Sequence, residues 1–146
     1  MDCWAFDGRL SEFIDAGFDY VAPPVKDAAK WPSGVCVGCG GCSLRRISAF
    51  RRLSFGWRDV PDNMPEDLYF SQLAAAGKMR ACDPDTATRF CITSDDASAA
   101  RFWLGQLGRL PSFCHKFATK DLPNVWSGPI AECQRHGLHF ITFANT

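Results

Sequence analysis

Between positions 35 and 44, three glycines (Gly38, Gly40 and Gly41) alternate with three cysteines (Cys36, Cys39 and Cys42) among small apolar residues. Neither a helix nor an ordinary strand tolerates glycine at that density. The segment is therefore expected to be a turn in which bare backbone comes close to a ligand or to another part of the chain. Ile47, Phe50 and Leu53 follow at helical spacing with arginines between them, so the turn should open into an amphipathic helix.

The rest of the chain reads as short strands and helices in alternation. Residues 3–6 are an apolar run stopped by Asp7 and Gly8, as expected of a strand. Residues 10–16 should form a helix, with Ser11 as its cap and Gly17 as its stop. Residues 19–22 lead into Pro23 and Pro24 and then into a loop. After a second loop at 61–65, Glu66 and Asp67 open a helix over 68–76 that Gly77 closes. A strand over 78–82, a helix over 84–90, a helix from Ser94 to about position 107 and a strand over 113–117 follow. A partly helical stretch over 125–136 and a last strand over 139–143 complete the reading. Such alternation predicts an α/β layered domain, a single one over residues 1–146.

Composition supports one core and narrows the partners. The chain has 146 residues, of which 47% are hydrophobic, enough for one domain. Sixteen basic side chains balance sixteen acidic ones, so no net field steers it toward nucleic acid or an acidic membrane surface. No run approaches the roughly 18 apolar residues of a membrane span, and the opening residues lack a secretory pattern. The chain as given is expected to be soluble; a longer parent could be cytoplasmic or Golgi-luminal. Eight cysteines are many, yet a core this size needs no disulfide staples, and Cys3, Cys82, Cys91 and Cys133 are expected to be buried thiols.

Several groups could carry chemistry, each with a plainer alternative. Cys36, Cys39 and Cys42 have the spacing of iron–sulfur or zinc ligands, but a fourth ligand is needed, and Arg46 and Ile47 stand where a ferredoxin would have its next cysteine and proline. Zinc would have to borrow Cys82, Cys91, Cys114 or His115. The Gly40–Gly41 pair admits a sugar or phosphate, or simply makes a tight bend. Glu66 and Asp67 at a helix start suit a general base, or helix capping. Asp2 and His115 are candidate metal ligands, or satisfied polar groups.

Taken in order, DYVAPP, VGCGGCSLR, PEDLYFS and FCHK resemble motifs of a glycosyltransferase-like family known only as a domain of unknown function, DUF5672. That family shows segments like YDYIGAPW, GNGGFSLR, EDVFF, FSVE and FGFHK. The matching stretches here are residues 20–23, 38–45, 66–70, 90–93 and 113–116, so the resemblance spans about 2–116. It implies part of a GT-A-like fold, a Rossmann-related mixed sheet flanked by helices, with the amino-terminal nucleotide-binding half missing.

The resemblance further implies transfer of a sugar from a nucleotide-sugar donor to a glycan or other hydroxyl acceptor, assisted by Mn²⁺ or Mg²⁺. Gly40, Gly41, Ser43 and Arg45 would contact substrate, Glu66 or Asp67 would act as base, and Asp2 and His115 would hold the cation. Direct displacement with inversion is the expected course. The chain departs from the family at Cys39, in place of asparagine, at Cys42, in place of an aromatic residue, and at Thr93, in place of an acid. Two other readings stay open: a non-catalytic remnant or binding module, and a small cysteine-rich metal-binding protein.

Overall fold

The computed structural model describes residues 3–5, 8–25, 35, 37–38, 41–53, 61–93 and 111–115. Within them the chain forms β1 (Cys3–Ala5), α1 (Leu10–Asp15), β2 (Tyr20–Val21), β3 (Leu44–Arg45), α2 (Ile47–Arg52) and α3 (Glu66–Ala75). It continues with α4 (Pro84–Phe90), β4 (Cys91–Thr93) and β5 (Phe113–His115). This is a small mixed α/β structure. The expected helix from Ser94, the partly helical stretch over 125–136 and the strand over 139–143 lie outside the described residues, as does Cys133.

Two sheets organise these elements. The first has the order β1-β5-β4, with β5 antiparallel to β1 and parallel to β4. Its register aligns Cys3, His115 and Thr93 in one row and Ala5, Phe113 and Cys91 in the next. Because side chains alternate across a strand, these six positions share one face and Ile92 and Cys114 lie on the other. Cys91, Cys3 and Phe113 on the first face belong to the main core, while Ile92 and Cys114 are fully buried on the second. A sheet covered on both faces is what an α/β layer arrangement requires. The second sheet is the antiparallel pair β2 and β3, in which Tyr20 faces Arg45 and Val21 faces Leu44.

Edge-to-face and tilted aromatic contacts fill the space around the sheets. Phe90 at the end of α4 meets Phe13 of α1 and Phe113 of β5, each with centroids 5.1 Å apart. Phe70 of α3 meets Tyr20 at 5.6 Å and Phe50 of α2 at 5.1 Å. Buried rings of this kind add about 0.5–1.5 kcal/mol per pair beyond their buried area.

Local chemistry accounts for most boundaries. Gly17 takes φ +76° just beyond α1, a left-handed conformation that suits glycine and ends the helix. Asp83 caps α4, its carboxylate accepting from Thr86 N at 2.8 Å and from Thr86 Oγ1 at 2.7 Å, with Pro84 at the first helical position.

Three expectations need correction. Ser11 lies inside α1, and Arg9 occupies the cap position with no side-chain cap bond. Of the face its spacing suggested, Phe50 and Leu53 pack against the core, but Ile47 is 69% exposed and α2 fully buries Ala49. The segment 78–82 is not a strand. It makes one parallel bridge from Ala81 to Tyr20, with Asp19 N and Tyr20 N donating to Arg80 O and Cys82 N donating to Tyr20 O.

Candidate functional site

The glycine-rich turn is held from three sides. Arg46 N donates to Asp19 O at 2.9 Å and Gly38 N donates to Pro23 O at 2.9 Å, while β3 pairs with β2. A further hold comes where the turn meets His115 on the face of the first sheet. A Cβ built on Gly41 would overlap His115 Nε2 and lie 2.7 Å from Cε1 and 2.8 Å from Cδ2. Only a residue without a Cβ lets the backbone rest on the imidazole at this distance. Gly41 itself is exposed, whereas His115 is buried. The structure therefore joins two residues singled out in sequence, one from the turn and one from the end of β5.

A second group lies farther along the same turn. Arg45 donates from Nη2 to Glu66 Oε1 at 2.6 Å and from Nε to Ser43 Oγ at 2.9 Å. Its guanidinium carbon sits 4.9 Å from the Phe70 centroid and 6.0 Å from that of Phe50, so the cation rests on an aromatic floor. Glu66 opens α3 but makes no cap bond there; Pro65 occupies the cap position. The two acids consequently differ. Glu66 is exposed and turned to Arg45, while Asp67 is half-buried and its Oδ1 accepts from Leu68 N at 2.9 Å. Helix-terminal bonding thus describes Asp67, and a bond across to the turn describes Glu66.

Ser71 was not anticipated as part of this arrangement. Fully buried on α3, its hydroxyl is shared between Val37 O at 2.7 Å and Asp67 O at 2.9 Å. Its place directly after Phe70, next to the apolar part of the helix, was the available signal. Thr93, where the resembled family has an acid, stands in the row of His115 and Cys3, and its Oγ1 has no hydrogen-bond partner among the described residues.

Of the cysteine triplet, Cys42 is described, and it is buried with a free thiol. Cys36, Cys39, Gly40 and Asp2 lie outside the described residues. Cys82 and Cys91 are buried free thiols, as expected, and Cys3 is partly buried. Burial pushes the Cys82 thiol up to about 12. Burial, together with the neighbouring Cys3 and Cys42 thiols, also raises Cys91 well above the ordinary thiol value.

Among the described residues no group of three histidines, cysteines or acids is placed to hold a metal ion. His115 is the one described member of the expected cation pair. Hard cations take several oxygen ligands, so the described part of the site does not by itself make up a cation site. No described helix is long and apolar enough to cross a membrane.

Residues 1–115 match a family model described as "Protein of unknown function (DUF5672)". No curated protein and no solved structure matches the chain.

Proposed function

We propose, since this chain belongs to the DUF5672 family, that it is part of a GT-A-like glycosyltransferase domain acting on a nucleotide-sugar donor and a hydroxyl acceptor. The observation that supports this reading is a convergence. One short turn touches His115 through Gly41 and Glu66 through Arg45, so three separated segments of the sequence meet around it.

In this reading Glu66 is the base. Its exposed carboxylate takes the proton from the acceptor hydroxyl as that oxygen attacks the anomeric carbon. Arg45 and Ser43 fix the direction from which the carboxylate works, and Asp67, already bonded to Leu68 N, is the less available of the two acids. The exposed backbone of Gly41, with Gly40 before it, gives the sugars an approach that side chains would close. Asp2 and His115 would hold Mn²⁺ or Mg²⁺, which when bound neutralises the charge of the departing diphosphate. A single base without a separate nucleophile favours direct displacement with inversion.

Calorimetric titration with UDP and GDP, with and without Mn²⁺, tests the donor half of the proposal. Metal-dependent binding that is lost in Asp2→Ala and His115→Ala is the expected result. A folded chain with no nucleotide affinity would overturn it.

A further inference from the structure

Beneath the glycine-rich turn lies a group of thiols that the proposed transfer chemistry does not use. Cys91 begins β4 on the sheet face that also carries Cys3, Phe113 and His115. Gly41 rests on His115 from above that face, and the next residue, Cys42, is buried in the same core cluster as Cys91. The Cys3 and Cys42 thiols are both close enough to Cys91 to act on its ionisation. Cys42 and Cys91 are both free.

Backbone geometry separates the two possible partners of Cys91. Cys3 and Cys91 lie on β1 and β4, the strands on either side of β5. Two strand spacings alone put their backbones about 9.5 Å apart, and Cys3 pairs with His115 while Cys91 pairs with Phe113, which adds an offset of two residues; this is beyond the roughly 7 Å that a disulfide spans. Cys42 does not share the sheet plane. It comes down on the face from a turn whose preceding residue is already in contact with the sheet. We infer that Cys42 and Cys91 form a reversible disulfide that fastens the glycine-rich turn to β4, and that the turn is thereby redox-sensitive.

The reaction uses a small-molecule disulfide as oxidant. Cys42 is 8% exposed and follows an exposed glycine, whereas Cys91 is fully buried, so of this pair Cys42 is the thiol the oxidant reaches first. Its thiolate attacks one sulfur of the oxidant, and the other sulfur leaves as a thiolate that takes up a proton. Cys91 then loses its proton to water and attacks the Cys42 sulfur, expelling the second thiol. Two protein thiols are oxidised to one disulfide and one oxidant disulfide is reduced to two thiols. Because Cys91 is buried and protonated, the second step is the slower one. The bond would restrain the segment carrying Gly41, Ser43 and Arg45 whatever reaction takes place there.

The test is oxidation of the native full-length chain with glutathione disulfide, alkylation of the remaining thiols under denaturing conditions, and non-reducing peptide mapping. A peptide pair joined through Cys42 and Cys91 is expected, with the loss of two alkylatable thiols per chain and full recovery on reduction. The pair should persist in Cys3→Ala. In Cys91→Ser, Cys42 should instead retain bound glutathione. Slower amide exchange over residues 41–45 after oxidation would show that the turn is restrained. Cys42 joined to Cys36, Cys39 or Cys3, or Cys42 and Cys91 both recovered as alkylated thiols, would overturn the inference.

Discussion

The Ser71 hydroxyl stands 2.7 Å from the Val37 carbonyl, and through this contact α3 holds the segment that leads into the glycine-rich turn. Ser71 is fully buried and so is Val37. In Ser71→Ala the carbonyl loses this donor where water has no ready access. A loss of about 1–3 kcal/mol is expected, read from the urea midpoint at unchanged slope. Ser71→Cys, which keeps a weak donor, should lose less.

Gly41 allows a sharper test, because its neighbour can be removed as well. Gly41→Ala drives a methyl group into the His115 ring, and overpacking of this kind costs about 1–3 kcal/mol. His115→Ala opens the space, so the two changes together should be less damaging than the sum of each alone. A double-mutant cycle on unfolding free energies measures that coupling. Additive losses would mean that the turn does not rest on the imidazole.

Arg45 and Glu66 should separate stability from function. Their side chains are 32% and 51% exposed, so the ion pair contributes about 0.2–1 kcal/mol after solvent screening. Arg45→Ala also uncovers Phe70 and should destabilise more than Glu66→Gln does. If Glu66 is the base, Glu66→Gln abolishes sugar transfer while leaving nucleotide binding intact. Transfer and binding measured on the same preparation distinguish the two effects.

Asp83 gives the chain a pH-dependent component of stability. Burial works against its ionised form, but hydrogen bonds from Thr86 and the charge of Arg89 outweigh this and hold the carboxyl below its ordinary value of 3.8. A carboxyl lowered by folding stabilises the fold above the unfolded value, and the contribution is lost as pH falls through the folded one. The stability difference between the natural chain and Asp83→Asn should therefore shrink as pH drops below 3.8. Asp83→Ala removes the cap altogether and should cost about 1 kcal/mol near neutral pH. Urea midpoints across that range check both statements.

The parts of the fold that were legible in sequence are those governed by neighbouring residues. Gly17 and Gly77 mark helix ends because both take positive φ, and the Asp83–Pro84 start of α4 follows from local capping chemistry. The turn before α2 was readable for the same reason. What a distant segment decides was misread or missed. Spacing placed Ile47, Phe50 and Leu53 on one face; Phe50 and Leu53 do meet the core, but Ile47 at the helix start stays exposed and Ala49 is buried instead. Residues 78–82 had strand-like composition, but their partner β2 offers only one bridge. In the site, Gly41, Ser43, Arg45, Glu66 and His115 could be named as candidates from residue type and resemblance. Which of them touch, and that Glu66 rather than Asp67 turns to the arginine, depends on how α3 approaches the turn.

The position of β5 between β1 and β4 bears on how such a chain is made. Cys3 is synthesised well before its pairing partner His115, which comes after every helix named above. β1 therefore cannot pair with β5 until α1 to α4 have been made, and β5 then joins β1 to β4 across a long stretch of sequence. Contacts of such high sequence separation slow folding. A strand edge that waits for its neighbour is also a segment on which a chaperone would act.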